Sequence, residues 1–207
     1  MPYQPLILDP ATPPAVRRLI DRLERLSFGD VHTMLRLPVP NYRLTAGCNF
    51  AITQVLTTAI GGLSTTLYRH GNYDGERFKG LLTHHYPWNL EPRQSVPPAE
   101  AARVIYEVIR NPLTHDLGLD LHGKSKGVKV KLKRIQRVGG KGGMPEKWVE
   151  KLERGPRPIM SPSVTVRSDA RVLLVEALYW GLRRMVEEMT HDTSLMARAE
   201  AFLATRI

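Results

Sequence analysis

Near the start of the chain, Val16, Leu19, Ile20, Leu23 and Leu26 recur at helical spacing among arginines. That period predicts an amphipathic helix with one buried stripe and an arginine-rich outer face. Thr12 followed by Pro13 and Pro14 supplies its start, since a proline in the first turn gives up no needed amide donor. Between 46 and 68 the pattern changes: Phe50, Ile52, Val55, Leu56, Ile60, Leu63 and Leu67 occupy most sides of a helix, as in a central helix enclosed by others. A shorter helix is expected over 75–86. The proline-rich loop "YPWNLEPRQSVPP" then delivers the chain to "AEAARVIYEVIRN". There Val104, Ile105, Val108 and Ile109 form one apolar stripe, while Arg103, Glu107 and Arg110 share another face.

The period then drops to two. Val128, Val130 and Leu132 alternate with Lys129, Lys131 and Lys133, the signature of a half-buried strand, and "PSVTVRS" offers a partner strand. Between them lie the glycine-rich turn "GGKGG" and a short basic helix around Trp148 and Leu152. Ser168 with Asp169 is placed to cap a long helix running to about residue 190, lined by Val172, Leu173, Leu178, Leu182, Met185 and Met189. A last short helix follows. The expected fold is mainly α: a single helical bundle over 1–207, with a basic strand-containing insertion at 123–167 before the last long helix.

Composition narrows the setting. At 207 residues and 42% apolar content, the chain has enough to bury a core of its own. Cys48 is the one cysteine, which excludes an intrachain disulfide and fits a reducing compartment. The N-terminal stretch lacks the basic start and apolar run of a secretory signal, so a cytoplasmic location is expected. Residues 44–68 carry no charge, yet six threonines, Asn49, Gln54 and three glycines interrupt them too often for a lipid-facing span. No membrane is expected as a partner. The net charge is +10, and residues 123–157 hold twelve Lys or Arg against three Glu, so nearly all the excess sits in one sixth of the chain. Such clustering suits a partner rich in phosphate.

The candidate chemistry lies at "VIRNPLTHDLG". Pro112 disfavours helical geometry at Asn111 and removes a donor, so the helix is expected to break there, between Arg110 and His115. Arginine supplies a permanent planar fork suited to a phosphodiester, and histidine moves protons near neutral pH. Arg25 with His32, Arg77 with His84 and Arg184 with His191 have a similar separation, but Leu26, Phe78 and Met185 follow those arginines, whereas Asn111 follows Arg110. With this context "RNPLTH" resembles the HEPN superfamily, helical domains in which an Arg, a polar residue, a short spacer and a His mark metal-independent ribonucleases. The resemblance covers the helical parts, roughly 46–122 and 165–190. It implies Arg110, Asn111 and His115 as catalytic residues, no cofactor, and transesterification in which the ribose 2′-hydroxyl attacks the adjacent phosphorus. It further implies a homodimer whose two-fold cleft holds both copies of the pair. The expected partners are RNA and an antitoxin or other regulatory protein, in keeping with toxins and phage-defence effectors.

Other readings stand beside this one. A non-catalytic nucleic-acid-binding or scaffold protein on the same fold would need no reaction centre. His115, Asp116, Asp120 and His122 fall within eight residues and include plausible metal ligands, though no second cluster supports them. The basic side chains Lys124, Lys126, Lys129, Lys131, Lys133, Arg134 and Arg137 are candidates for nucleic-acid contact. Along a strand, Lys129, Lys131 and Lys133 would project about every 6 to 7 Å, close to a phosphate repeat, or would simply guard an edge against aggregation. His84 and His85 read as a half-exposed helix end, and Cys48 as a small buried residue inside the uncharged helix. "GGKGG" lacks the Ser or Thr and the strand-to-helix setting of a nucleotide loop.

Overall fold

A computed structural model describes residues 3–36, 48–91, 96–115, 129–133 and 162–206. Within these the protein is mainly helical, with a small three-stranded sheet joined to the same core. Helix α1 (Pro14–Leu23) begins with Pro14 in its first turn, as its sequence demands. Its exposed amides are not capped locally: Glu200, far along the chain, accepts from Ala15 and Val16 at 3.1 and 3.3 Å, placing a carboxylate on the positive helix end.

A π-turn, Glu24–Phe28, joins α1 to α2 (Gly29–Arg36), and the Gly29 amide bonds back five residues to Glu24. A Cβ on Gly29 would sit 3.2 Å from that same carbonyl, so the glycine permits the close approach. The wider turn inserts a residue into the helical period. Phe28 is therefore buried, while Leu26, expected in the buried stripe, is 63% exposed.

Helix α3 (Asn49–Leu63) continues through a second π-turn, Ser64–Tyr68. Its hydroxyls bond back along their own helix: Thr53 to Asn49, Thr57 to Thr53 and Thr66 to Gly62, at 2.7 to 2.9 Å. This is how a threonine-rich helix is buried without orphaned polar atoms on those side chains. By length and composition Asn49–Tyr68 could cross a membrane, but Ile52, Leu56, Ile60, Leu63 and Leu67 are packed inside the protein core. Cys48 lies at the N-terminal flank of α3 and is half-buried, rather than inside the helix.

Helix α4 (Asp74–His85) matches its expected range closely. α5 (Pro98–Arg103), a third π-turn (Val104–Arg110) and α6 (Asn111–His115) then run on as one helical rod. The chain therefore does not break at Pro112. Asn111 bonds back five residues to Tyr106, so the preceding turn is widened, and Pro112 falls in the first turn of α6, where a missing donor is tolerated.

Strands β1 (Lys129–Lys133), β2 (Val164–Val166) and β3 (Ala170–Leu174) form a sheet of order β1-β3-β2. β1 is parallel to β3, with Lys129 opposite Ala170 and Lys133 opposite Leu174, and β2 is antiparallel to β3, with Val164 opposite Leu173. Two expectations change. "PSVTVRS" pairs with β3 rather than with the lysine strand. Residues 170–174, expected as the first turns of the long helix, are the central strand, and Ser168 and Asp169 lie in the bend of a hairpin. The third strand thus extends past 167, and β3 passes directly into α7 (Val175–Met189), followed by α8 (Thr193–Ala204). Tyr179 on α7 is fully buried at the centre, edge-on to Phe28 and donating to the Phe28 carbonyl at 3.3 Å. "GGKGG" and the basic helix around Trp148 and Leu152 lie outside the described residues.

Candidate functional site

The rod from Pro98 to His115 presents two faces. Ala101, Ala102, Val104, Ile105, Ile109 and Leu113 are buried against the bundle, with Val108 half-buried at the margin. The opposite side carries Arg103, Tyr106, Glu107, Arg110, Asn111 and Thr114. Tyr106 is its aromatic centre. The ring packs on Phe78 with centroids 5.1 Å apart, and the helix beneath must be bare to admit it: a Cβ on Gly75 would lie 2.8 Å from the phenol oxygen. Two cations sit near this ring, the Lys79 ammonium at 5.7 Å and the Arg110 guanidinium at 5.4 Å from the centroid.

The charges on this face are not equally compensated. Arg103 forms a two-pronged pair with Glu100 at 2.7 and 2.8 Å and reaches Glu107 at 3.3 Å, while Lys79 meets Glu107 at 3.0 Å. Glu107 is thus held by two other cations. Arg110, on the same side of the rod, is not paired with Glu107. Among the described residues it meets no carboxylate, and its Nη1 donates to Asn111 Oδ1 at 2.9 Å. One amide oxygen leaves most of a five-donor fork free for an anion. The half-buried setting makes that interaction stronger than in open water.

The π-turn and α6 also set the order of groups along the rod. The Thr114 hydroxyl donates to the Arg110 carbonyl at 2.9 Å, four residues back along the same helix. Arg110, Asn111, Thr114 and the backbone of His115 then occupy successive positions of one short helix, with His115 one turn after Asn111. Among the described residues, no group of His, Cys, Asp or Glu is arranged to hold a metal ion; Asp116, Asp120 and His122 lie outside them.

The basic candidates divide the same way. Lys131 and Lys133 are exposed on β1, while Val130 and Leu132 face inward and are half-buried, in agreement with the alternation read from the sequence. β1 is an edge of the described sheet, and Asn49 at the start of α3 anchors it, donating to the Leu132 carbonyl at 3.1 Å. Lys129 belongs to the same strand; Lys124, Lys126, Arg134 and Arg137 fall outside the described residues. Helix α3 packs against both β1 and the π-turn that carries Arg110.

Sequence reasoning missed Tyr106, whose place between Gly75, Lys79 and Arg110 depends on how α4 meets the rod. The other described histidines lie outside the rod. His191 pairs with Asp9 at 2.8 Å, His32 is buried beside Tyr3, and His84 and His85 end α4 as expected, His84 exposed and His85 half-buried. No protein-family model matches the chain, and neither a curated protein nor a solved structure does.

Proposed function

We propose that this chain is a metal-independent endoribonuclease of the HEPN type, cleaving RNA through attack of the 2′-hydroxyl on the adjacent phosphorus. The observation that carries this reading is the Arg110 guanidinium, which meets no carboxylate among the described residues and is held by Asn111 on a helix that runs on to His115. In the reaction the 2′-oxygen bonds to phosphorus and the 5′-oxygen leaves, giving a 2′,3′-cyclic phosphate and a 5′-hydroxyl. Arg110 offsets the charge that grows on the non-bridging oxygens, Asn111 fixes its orientation, and His115 transfers a proton. One histidine serves one of the two proton transfers, so two chains paired about a two-fold axis would supply both, and a homodimer is part of the proposal. A cytoplasmic toxin or phage-defence effector, held in check by an antitoxin or other regulatory protein, fits this chemistry. Lys131 and Lys133 would hold the RNA backbone through salt-sensitive contacts.

The test is cleavage of single-stranded RNA in the presence of a chelator, with the cyclic phosphate as the diagnostic product. Wild type is expected to cut, with Arg110→Ala and His115→Ala each slower by on the order of a hundredfold or more. Equal cutting by all three would refute the assignment of these residues. If no cutting occurs while RNA is still bound, the fold is a nucleic-acid-binding module without catalysis.

A further inference from the structure

A different corner of the bundle gathers arginines and histidines, with Asp192 among them. Helix α3 ends at Arg69, whose backbone is left-handed at φ 55 and ψ 6 while its amide closes the π-turn on Ser64 at 2.9 Å. Glycine is the usual residue there, because any Cβ is disfavoured in that conformation. The arginine uses the position to lay its guanidinium on the ring of Phe202 in α8, 3.5 Å from the centroid. Arg206 meets the same ring at 4.4 Å. Two guanidinium groups are thus brought within about 8 Å of each other, where like charges repel. Stacking on a ring leaves the N–H edge of a guanidinium open to an anion.

Beside this stack, three imidazoles surround one phenol. His70, His85 and His84 lie 5.0, 5.5 and 6.3 Å from the Tyr68 ring. Tyr68 can lie against α4 because Gly80 has no side chain: a Cβ there would be 2.9 Å from the ring. The charged groups facing His85 are Asp192 and Arg198 from the α8 end and His84 and His70 from its own side; burial holds its imidazole below the ordinary value, opposed by Asp192. Arg69, His70, His84, Arg198 and Arg206 are exposed. Among the described residues, none of the three arginines is in an ion pair.

We propose that Arg69, His70, His84, His85, Arg198 and Arg206 form a phosphate-binding surface for single-stranded nucleic acid, built on elements other than the Arg110 rod and β1. The basic groups are spread over the ends of α3 and α4 and along α8, as a polymer of phosphates requires. The exposed large apolar side chain of the adjoining loop is Tyr73, an aromatic suited to a base rather than to acyl chains. This inference does not depend on the chain being a ribonuclease.

The probe is a fluorescein-labelled 2′-O-methyl oligonucleotide, which lacks the attacking hydroxyl, so binding is read whether or not the chain cuts. Anisotropy is followed across a salt series. The pair Arg69→Glu with Arg206→Glu is expected to weaken binding about tenfold or more and to flatten the salt slope by about two ions. Arg25→Glu with Arg184→Glu makes the same change in net charge on elements outside the patch, and should shift affinity by less than about twofold. Equal losses from the two charge-reversed pairs, or no loss from either, would overturn the proposal. So would binding to anionic phospholipid vesicles in place of the oligonucleotide.

Discussion

Replacing Gly181 with alanine should be among the most damaging small changes in the molecule. A Cβ at this position of α7 would lie 2.1 Å from the Tyr86 hydroxyl, 2.3 Å from Cζ and 2.5 Å from Cε2. These are well inside contact distance, so the ring must move by more than about 1 Å. Tyr86 has nowhere easy to go. It is buried against Trp88 with centroids 4.3 Å apart, and its hydroxyl lies 3.0 Å from Glu91 Oε1 and 3.2 Å from the Ala177 carbonyl. Glu91 in turn accepts the Ser163 amide at 3.0 Å, next to β2. Overpacking of a tight core costs about 1 to 3 kcal/mol, and disturbing a hydrogen bond to a buried carboxyl adds about 1 to 3. Exchange of glycine for alanine within a helix returns up to about 1 kcal/mol. The net loss is therefore about 1 to 6 kcal/mol, a large share of a typical domain's 5 to 15, read as a fall in the urea midpoint with unchanged slope. Gly62 provides the comparison, since it is also helical and a Cβ there meets nothing within 4 Å. Gly62→Ala should be neutral or stabilising by up to about 1 kcal/mol. A neutral or stabilising Gly181→Ala would mean that α7 and Tyr86 do not pack as described.

Glu91 should govern part of the pH dependence of stability. Burial pushes its carboxyl above the ordinary 4.5, outweighing the bonds from Ser163 and Tyr86, so the folded chain keeps a proton that the unfolded chain has released. Its contribution is complete below pH 4.5 and is lost as pH rises through the folded value. Glu91→Gln should therefore gain stability relative to wild type as pH rises above that point, and a difference that is flat with pH would refute this. Leu26→Lys should change stability by less than about 0.5 kcal/mol, whereas Phe28→Ala should cost about 3 to 5; the reverse order in thermal or urea unfolding would argue for a regular α-helix in place of the first π-turn. Asn111→Ala should lower RNA cleavage while leaving the urea midpoint nearly unchanged, because the amide holds Arg110 on the half-exposed side of the rod.

The helices with strong local patterns could be read from sequence because their signals are local. Pro13 and Pro14 start α1, and the lysine alternation marks β1. Three π-turns were not legible, since each depends on a five-residue hydrogen bond with no residue signature, and each moves later side chains around the helix. Leu26 is exposed for this reason. β3 was hidden for a different one. "ARVLLVEALYW" is apolar enough to continue the helical stripe of α7, and its pairing with β2 beside it and with β1 about forty residues earlier makes it extended. At the candidate site the sequence supplied Arg110, Asn111 and His115 as neighbours along the chain. The pairing of Glu107 with Lys79, and the place of Tyr106, arise from packing between α4 and the rod.

The sheet's strand order has a consequence for how this protein could be taken apart and rebuilt. Lys133 and Val164 both lie at the end of the sheet marked by Leu173 and Leu174, on opposite sides of β3. The chain therefore departs from and returns to points about two strand spacings, or roughly 10 Å, apart. Seven of the twelve basic residues counted between 123 and 157 lie on the excursion between those points. A linker of a few residues could span the gap, so the pairing of β1 and β2 with β3 sets no lower limit near thirty residues on the chain that joins them.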